Sequence, residues 1–352
     1  MYLHFVIDNF YIEKFMSFVA KHFPDQEHVF VAIKQDSFKY LSSNRLRVFN
    51  SIISSELRQL VSKSDKIFVH SLFNTSINAL LLIHSEALKK TYCFLWGGDV
   101  YNYWLQDRHS IKSAIAERLK STFMRKIRKL IVEFREDYEF VRKRYGVSTA
   151  YYEAFYPVPV DFDALDEIPP RSAIDKARRI MVGNSASDTN RHFEILEALW
   201  KNQIVGNAQD IEIICPLSYG DMEYARKVIE YGKSKFGERF KPLTEFLPPE
   251  EYAKVLNQVD IAIFNHKRQQ ATSNIIGLLY LGKKVYLRSD VTTWQFLNRI
   301  GIKVFDTKNI LSNEKEDLFL YDDKLGKENK SIVQEQFSEE RCVQLWSNLF
   351  GE

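Results

Sequence analysis

The 352-residue sequence predicts an α/β protein of two successive Rossmann-like units, each a parallel sheet covered by helices, facing one another across a cleft. Three observations carry this. Short apolar runs alternate with helical patterns along the chain, a rhythm that argues for parallel strands joined by crossover helices. The rhythm breaks once, in a segment rich in proline and charge that follows Pro157-Val158-Pro159. The chain is also longer than the roughly 250–300 residues at which one core stops growing. The expected organisation is an N-terminal unit over residues 1–158, a linker over 159–178, a C-terminal unit over 179–330 and a closing helix over 331–352.

In the first half the strand candidates are Tyr2–Ile7, Val29–Ile33, Lys66–Val69, Tyr92–Leu95, Lys129–Val132 and Thr149–Ala154. Helical patterns lie between them, including Ile12–Lys21, Ile52–Ser62 and Ser76–Lys89. In the second half strands are expected at Arg179–Val182, Asp210–Cys215, Phe240–Pro242, Ile261–Phe264, Lys284–Leu287 and Lys303–Phe305. Helices are expected at His192–Lys201, Asp221–Phe236, Pro249–Gln258, Asn274–Leu281 and Val291–Ile300, and a last amphipathic one at Ile332–Leu349. In such sheets ligands bind beyond the carboxyl ends of the strands. Two Rossmann-like halves face to face are the GT-B arrangement of nucleotide-sugar glycosyltransferases; periplasmic-type binding proteins share the outline but need an export signal. The start Met1–Asp8 lacks the charged flank of a signal peptide and reads as a first strand.

Composition excludes other classes. With 45% hydrophobic and 27% charged residues the chain is globular, and a net charge of +3 is too small to imply nucleic acid. Cys93, Cys215 and Cys342 show no CxxC spacing, so neither a disulfide framework nor a zinc site is expected. No window approaches 18 uninterrupted apolar residues, so no membrane span is expected.

Four blocks could carry chemistry. The run Ile180-Met-Val-Gly-Asn-Ser-Ala-Ser-Asp-Thr-Asn-Arg-His192 is a strand, a glycine turn and a helix start. Its free backbone N–H groups would attract a diphosphate, and Gly183 can take positive φ. An ordinary strand–turn–helix, with Asp188, Thr189 or Asn190 as N-cap, is the bland alternative. In the loop Phe94–Trp104, paired Gly97 and Gly98 let backbone approach a ligand, Asp99 lies at a strand end, and Trp96, Tyr101, Tyr103 and Trp104 could stack on sugar faces; the bland alternative is a Gly-Gly turn with Asp99 as N-cap and the aromatics in the core. At Ile214–Asp221, Tyr219 could stack on a base, or Ser218 or Asp221 could simply cap a helix. At Ile261–Gly277 a buried strand ends in His266, Lys267 and Arg268; cations beside a helix start suggest an anion between them, with Gln269 and Gln270 hydrogen-bonding phosphate or sugar, and a solvated basic loop is the bland alternative.

A fifth feature is the segment from Asp107 to Phe134. Ile111, Ile115, Leu119, Phe123 and Ile127 form a stripe among Arg108, Lys112, Arg118, Lys120, Arg125, Lys126, Arg128 and Lys129. It can lie on an anionic membrane surface or pack in the core with a solvated basic face.

Taken together these blocks resemble glycosyltransferase family 56, bacterial TDP-N-acetylfucosamine:lipid II N-acetylfucosaminyltransferases. The family's Trp-Gly-x-Asp-x-Tyr block is matched by Trp96-Gly97-Gly98-Asp99-Val100-Tyr101. Its Val-Gly-Asn-Ser block, with Asn and His downstream, is matched by Val182–Ser185, Asn190 and His192. Its Arg-Gln-Gln block is matched by Arg268-Gln269-Gln270, its Trp-Gln by Trp294-Gln295, and its Pro-x-x-Tyr loop loosely by Pro216–Tyr219. The chain departs from the family after Gln270, where Ala271-Thr-Ser-Asn replaces a glycine-containing run, and at Tyr219, which is followed by Gly-Asp rather than proline.

The resemblance implies a GT-B hexosyltransferase that moves a deoxyamino sugar from a TDP-sugar to a polyprenyl-diphosphate-linked saccharide in cell-envelope polysaccharide synthesis. It would be peripheral on the cytoplasmic face of the inner membrane and would use no cofactor and no metal. The expected catalytic residues are Asp99 and Arg268; the expected donor-binding residues are Gly183, Asn184, Ser185, Asn190, His192, Ser218, Tyr219, Gln269 and Gln270. Trp96, Gly97, Gly98 and Tyr101 are expected to meet the acceptor. Asp99 would act as general base if configuration inverts, or position the acceptor if it is retained. A nucleotide-sugar epimerase of the same architecture and a non-catalytic glycolipid-binding module are the alternatives.

Overall fold

The computed structural model describes residues 1–34, 38–41, 45–106, 108–157, 162–169, 177–202, 210–312 and 318–352. The chain forms two compact units. One holds Met1–Pro157 and Glu339–Glu352, the other Val158–Ser338.

The first unit is a seven-stranded sheet. Its strands in chain order are β1 (Tyr2–Phe5), β2 (His28–Ile33), β3 (Leu46–Phe49), β4 (Lys66–His70), β5 (Thr91–Phe94), β6 (Lys129–Val132) and β7 (Ala150–Glu153), and their spatial order is β3-β2-β1-β4-β5-β6-β7. All pairings are parallel. Leu3, Phe5, Val29, Val31, Ile67, Val69, Cys93, Leu130 and Val132 face one main core. The opposite face carries the in-register row Phe30, His4 and Phe68. It is covered by helix Phe10–His22, through Phe15, and by the last helix, Glu339–Gly351, through Trp346 and Phe350.

The second unit has β8 (Arg178–Val182), β9 (Ile211–Pro216), β10 (Phe240–Leu243), β11 (Ile261–Phe264), β12 (Lys284–Leu287) and β13 (Phe305–Asp306), also parallel, in the order β10-β9-β8-β11-β12-β13. The chain direction across the sheet reverses between β1 and β4 in the first unit and between β8 and β11 in the second. These are the switch points at which doubly wound sheets bind ligands.

Helix Thr307–Leu311, which follows β13, was not foreseen, and four further elements differ from expectation. Strand β3 was not foreseen: it is a short edge strand, Leu-Arg-Val-Phe, whose middle residues are exposed and so leave no apolar run. The single helix expected at Ser76–Lys89 breaks at His84 (φ −102°, ψ 80°) into Thr75–Ile83 and Ser85–Leu88. The single closing helix is two, Asp323–Gln336 and Glu339–Gly351, parted at Phe337 (φ −122°, ψ 20°). Within the expected linker, helix Phe162–Asp166 packs on the second unit, Phe162 stacking on Tyr280 at 4.2 Å and Asp166 accepting from the Tyr280 hydroxyl.

Candidate functional site

The second unit assembles its polar blocks at the β8/β11 switch point. Gly183, φ +71°, turns the chain at the end of β8, and its N–H donates to the Ile263 carbonyl of β11 at 3.0 Å. A Cβ there would lie 2.3 Å from His192 Nε2, so the close approach of that imidazole requires glycine. Asn184 Nδ2 donates to the Tyr219 hydroxyl at 2.8 Å, and Gln270 Nε2 donates to Asn184 Oδ1 at 3.1 Å. The Thr189 hydroxyl donates to Gln270 Oε1 at 2.7 Å. Asn190 Nδ2 bonds the Ser185 carbonyl and, at 3.2 Å, its hydroxyl. Residues from three sequence blocks thus share one hydrogen-bonded network, and Arg268 is close enough to act electrostatically on the Tyr219 phenol. Arg268 Nη1 donates to the Gln269 carbonyl at 2.8 Å, and Gln269 Nε2 to the Thr272 hydroxyl at 3.0 Å. The Tyr219 residue is half exposed. Ser218 beside it is partly exposed.

Three expectations are corrected here. Much of the amide cradle is already spent: the N–H of Asn184 goes to Asn190 Oδ1, that of Ala186 to the Tyr219 carbonyl, and those of Ser187, Asn190 and Arg191 to carbonyls within the turn. The helix cap is Arg191 in the left-handed region (φ 53°), with Asp188–Asn190 a single 3-10 turn before it, not Asp188, Thr189 or Asn190. His192 and His266 are fully buried, and burial lowers both, His192 to about 4, so neither brings a positive charge to an anion. His192 instead supports the turn from behind, its Nδ1 on the Tyr224 hydroxyl at 3.1 Å. Asp221 does cap the helix Met222–Phe236, accepting from Glu223 and Tyr224.

The departure after Gln270 has a structural meaning. Ala271 sits at φ +60°, a conformation that glycine enters freely and alanine at a cost of roughly 1–2 kcal/mol.

In the first unit, the loop after β5 is organised by Asp99. Its Oδ1 accepts from the Trp96 N–H and its Oδ2 from the Leu72 N–H, both at 2.9 Å, and its carbonyl accepts from Lys120 Nζ. The carboxylate therefore ties the loops after β4 and β5 together across the switch-point side of the sheet. Ser71, beside Leu72, holds φ +119°, a strained value for a non-glycine residue. Asp99 is 1% exposed. Trp96 and Gly98 are partly exposed, Gly97 is buried at φ +75°, and Trp104 is half-exposed. Tyr101 departs from the acceptor-facing expectation: it is buried, packs against the tilted ring of Phe140 at 4.2 Å and donates to Asp137 Oδ1 at 2.6 Å. It belongs to the core because it lies on the inner face of helix Gly98–Trp104.

Burial pushes the Asp99 carboxyl up to about 6, against the opposing pull of the Leu72 and Trp96 N–H groups and Lys120. A folded pKa above the unfolded one means that the native state holds the proton more tightly. Stability from this group is full below the unfolded value of 3.8 and is lost as pH rises through about 6. The melting-temperature gap between wild type and Asp99→Asn is therefore expected to narrow from pH 4 to pH 7. A gap that widens over that range contradicts this.

The basic segment is split. In helix Ile111–Lys126, Phe123 and Met124 are buried, as is Ile127 at its end, whereas Ile111 is 83% and Ile115 65% exposed. Several of its cations are engaged within the unit: Arg125 bonds the Tyr145 carbonyl, Arg128 the Tyr92 hydroxyl, Lys129 the Glu352 carboxylate and Lys120 Glu117. Asp107 lies outside the described residues. Among the described residues no helix is long and apolar enough to cross a membrane.

Thr189 and the Ser71–Leu72 loop were not foreseen as parts of these sites. Thr189 stood in the right block; nothing local distinguished Leu72, whose contribution is a backbone N–H.

Two parallel doubly wound sheets, each with polar loops at its switch point, make the GT-B fold. Solved structures agree on the fold. A glycosyltransferase of Rickettsia africae superposes with a TM-score of 0.66 at 14% identity, covering 99% of this chain and 96% of that one. An Anabaena protein, HepE, solved in complex with UDP and glucose, gives 0.68 at 13%, covering 100% and 99%. Sucrose-phosphate synthase of Thermosynechococcus elongatus gives 0.67 at 11%, covering 99% of each. The chain belongs to the 4-alpha-L-fucosyltransferase family, glycosyl transferase group 56, whose model matches residues 6–325. A glycosyltransferase of this kind binds a nucleotide-sugar donor and a glycan acceptor.

Proposed function

We propose that the protein transfers a deoxyamino sugar of the N-acetylfucosamine type from a TDP-sugar to a polyprenyl-diphosphate-linked saccharide in cell-envelope polysaccharide synthesis. The observation that carries the donor half is the network at the β8/β11 switch point, where Asn184, Tyr219, Gln270 and Thr189 interlock next to Arg268. The half-exposed Tyr219 ring offers a platform for the nucleobase. Arg268 pairs with the diphosphate and stabilises the charge that grows on it as the glycosidic bond breaks. Asn184, Ser185, Gln269 and Gln270 supply neutral hydrogen bonds, and Gly183, Asn190 and His192 hold the turn that presents them. Ser218 lies beside the base platform.

The acceptor half falls to the Trp96-Gly97-Gly98 loop of the first unit. Because both Asp99 oxygens are engaged by backbone N–H groups, its role is the positioning of that loop rather than proton abstraction. Incubating the protein with a TDP-deoxyamino sugar and a farnesyl-diphosphate-linked disaccharide tests the reading: the trisaccharide is the expected product. Conversion of the donor to another sugar nucleotide without acceptor marks an epimerase, and no turnover of any donor marks a binding module.

Access to a polyprenyl-linked acceptor calls for attachment to the cytoplasmic leaflet of the inner membrane. Exposed Ile53, Phe73 and Ile111 lie at or just before the starts of helices that follow β3, β4 and β5, with Ile115 one turn further along and Trp104 at the end of the preceding helix. Arg108, Lys112 and Arg118, on the same segment as the two isoleucines, are exposed. Anionic lipid favours each such cation by roughly 1 kcal/mol near the surface. Binding to phosphatidylglycerol vesicles is expected to fade with added salt and to fall at least fivefold in Ile111→Ser/Ile115→Ser. Binding that ignores both changes rules this surface out.

A further inference from the structure

Three histidines distant in sequence form one hydrogen-bonded row on the covered face of the first sheet. His28 on β2, His4 on β1 and His70 on β4 are all buried. His4 Nε2 meets His28 Nδ1 at 2.9 Å, and His4 Nδ1 meets His70 Nε2 at 2.9 Å. His70 Nδ1 meets the Tyr156 hydroxyl at 2.7 Å, and that hydroxyl meets Trp96 Nε1 at 3.3 Å. At the other end His28 Nε2 meets Gln26 Oε1 at 3.3 Å. The row thus runs from Gln26, beside the start of β2, to the indole of the loop assigned above to the acceptor.

The two ends fix its direction. An indole N–H only donates, and an amide oxygen only accepts. With Trp96 donating to the Tyr156 oxygen, the Tyr156 proton goes to His70 Nδ1, the His70 Nε2–H to His4 Nδ1, the His4 Nε2–H to His28 Nδ1, and the His28 Nε2–H to Gln26. Every donor has one acceptor. The reverse direction leaves the Tyr156 proton without a protein acceptor among the described residues and sets His28 Nε2 against an oxygen, acceptor to acceptor. An added proton would likewise place two donors face to face. Burial, which holds His28 at about 4 and His70 at about 3, keeps the row neutral.

Packing alone does not call for these imidazoles. His4 lies between Phe30, at 4.5 Å, and Phe68, at 4.9 Å, so the neighbouring positions on this face are filled by phenylalanine. Phenylalanine would occupy the histidine positions without the desolvation that a buried polar ring suffers. What the imidazoles add is a fixed orientation, and a fully satisfied buried row stiffens what lies at its end. At that end stands Trp96, partly exposed, its ring edge-on to Tyr156 at 5.5 Å and to Tyr11 at 6.0 Å.

We propose that Tyr156 is a positioning residue for acceptor binding: backed by His70, His4 and His28, its hydroxyl locks the Trp96 indole in the orientation that stacks on an acceptor sugar. The inference rests on the assignment of the acceptor to the first unit. Tyr156→Phe removes only the hydroxyl. It is expected to raise KM for a farnesyl-diphosphate-linked disaccharide about tenfold, to leave kcat and donor KM within about twofold, and to leave the melting temperature nearly unchanged. His70→Phe should reproduce the KM effect. His70→Gln, whose amide can accept from Tyr156 and donate to His4, should recover most of it. Acceptor KM unchanged in Tyr156→Phe overturns the proposal, as does a His70→Gln variant no better than His70→Phe.

A second readout needs no activity. In 15N spectra of histidine-labelled protein at pH 7, His4, His28 and His70 are expected as Nε2–H tautomers with slowly exchanging protons. In Tyr156→Phe the Trp96 indole N–H signal, assigned with Trp96→Phe, should broaden and exchange faster. Nδ1–H tautomers, or a Trp96 signal indifferent to Tyr156, contradict the row itself. Should these spectra come out as expected while the disaccharide is not glycosylated, the assignment of the acceptor fails and the row stands.

Discussion

Replacing Arg268 with alanine is expected to lower kcat by about 10²–10³-fold, the size of effect that follows when one preorganised group facing transition-state charge is removed. The reason is local. The other groups of the β8/β11 network, Asn184, Tyr219, Gln270 and Thr189, are neutral, and the two histidines near them are held uncharged by burial. The guanidinium is therefore the group in this network suited to meet a diphosphate as a bidentate cation. Lysine should recover only part of the loss, because an ammonium keeps the charge without the planar fork. Arg268 is only partly buried, so the alanine variant should fold with a melting temperature close to that of wild type. Steady-state kinetics with saturating donor check this; a kcat within threefold of wild type removes Arg268 from the chemistry.

Much of this was legible in the sequence. The strand–helix alternation placed every strand except β3, because buried parallel strands read as apolar runs bounded by polar turns, and an exposed edge strand does not. The polar blocks of the second unit were legible because their residues sit directly after those runs, where a switch point puts them together. The sequence could not show how the polar groups are spent. In the turn after Gly183, Asn190 and the Tyr219 carbonyl take up two of the amides that the sequence leaves open. That both Asp99 oxygens accept from backbone N–H groups, one of them in the loop after β4, is likewise not visible in the sequence. Tyr101 shares a loop with Trp96, but its helical position turns it inward to Asp137. His4, His28 and His70 are each a lone histidine in an apolar run, and only the pairing of β2, β1 and β4 brings them into a row.

The second large effect concerns Gly183. Alanine there meets two penalties. A left-handed backbone costs a residue with a Cβ roughly 1–2 kcal/mol. The new methyl would sit 2.3 Å from His192 Nε2 and 3.0 Å from Asn190 Oδ1, and overpacking of this kind costs typically ~1–3 kcal/mol. Together they should destabilise the protein by about 2–5 kcal/mol and lower its melting temperature by roughly 5–15 °C. The displaced Asn190 would also release the Asn184 amide it holds, so donor affinity should fall with stability. Combining Gly183→Ala with His192→Ala removes the ring that the methyl strikes. The double variant is then expected to be more stable than the sum of the two single losses predicts, by at least about 1 kcal/mol. Strict additivity in calorimetric melting of the three variants contradicts the close approach of His192 to Gly183.

The central claim is that the β8/β11 switch point of the second unit binds a nucleotide diphosphate, and thymidine diphosphate in particular. Thermal melting of the wild-type protein with millimolar TDP, UDP, GDP or ADP, each without added metal and each repeated on Arg268→Ala, tests it most directly. A ligand bound only by the folded state raises stability by RT ln(1 + [L]/Kd), about 2.7 kcal/mol at a hundredfold excess over Kd. A shift of several degrees with TDP, smaller shifts with the other three, and loss of the TDP shift in Arg268→Ala are the predicted result. Equal shifts with all four nucleotides, or a TDP shift that survives in Arg268→Ala, would contradict it.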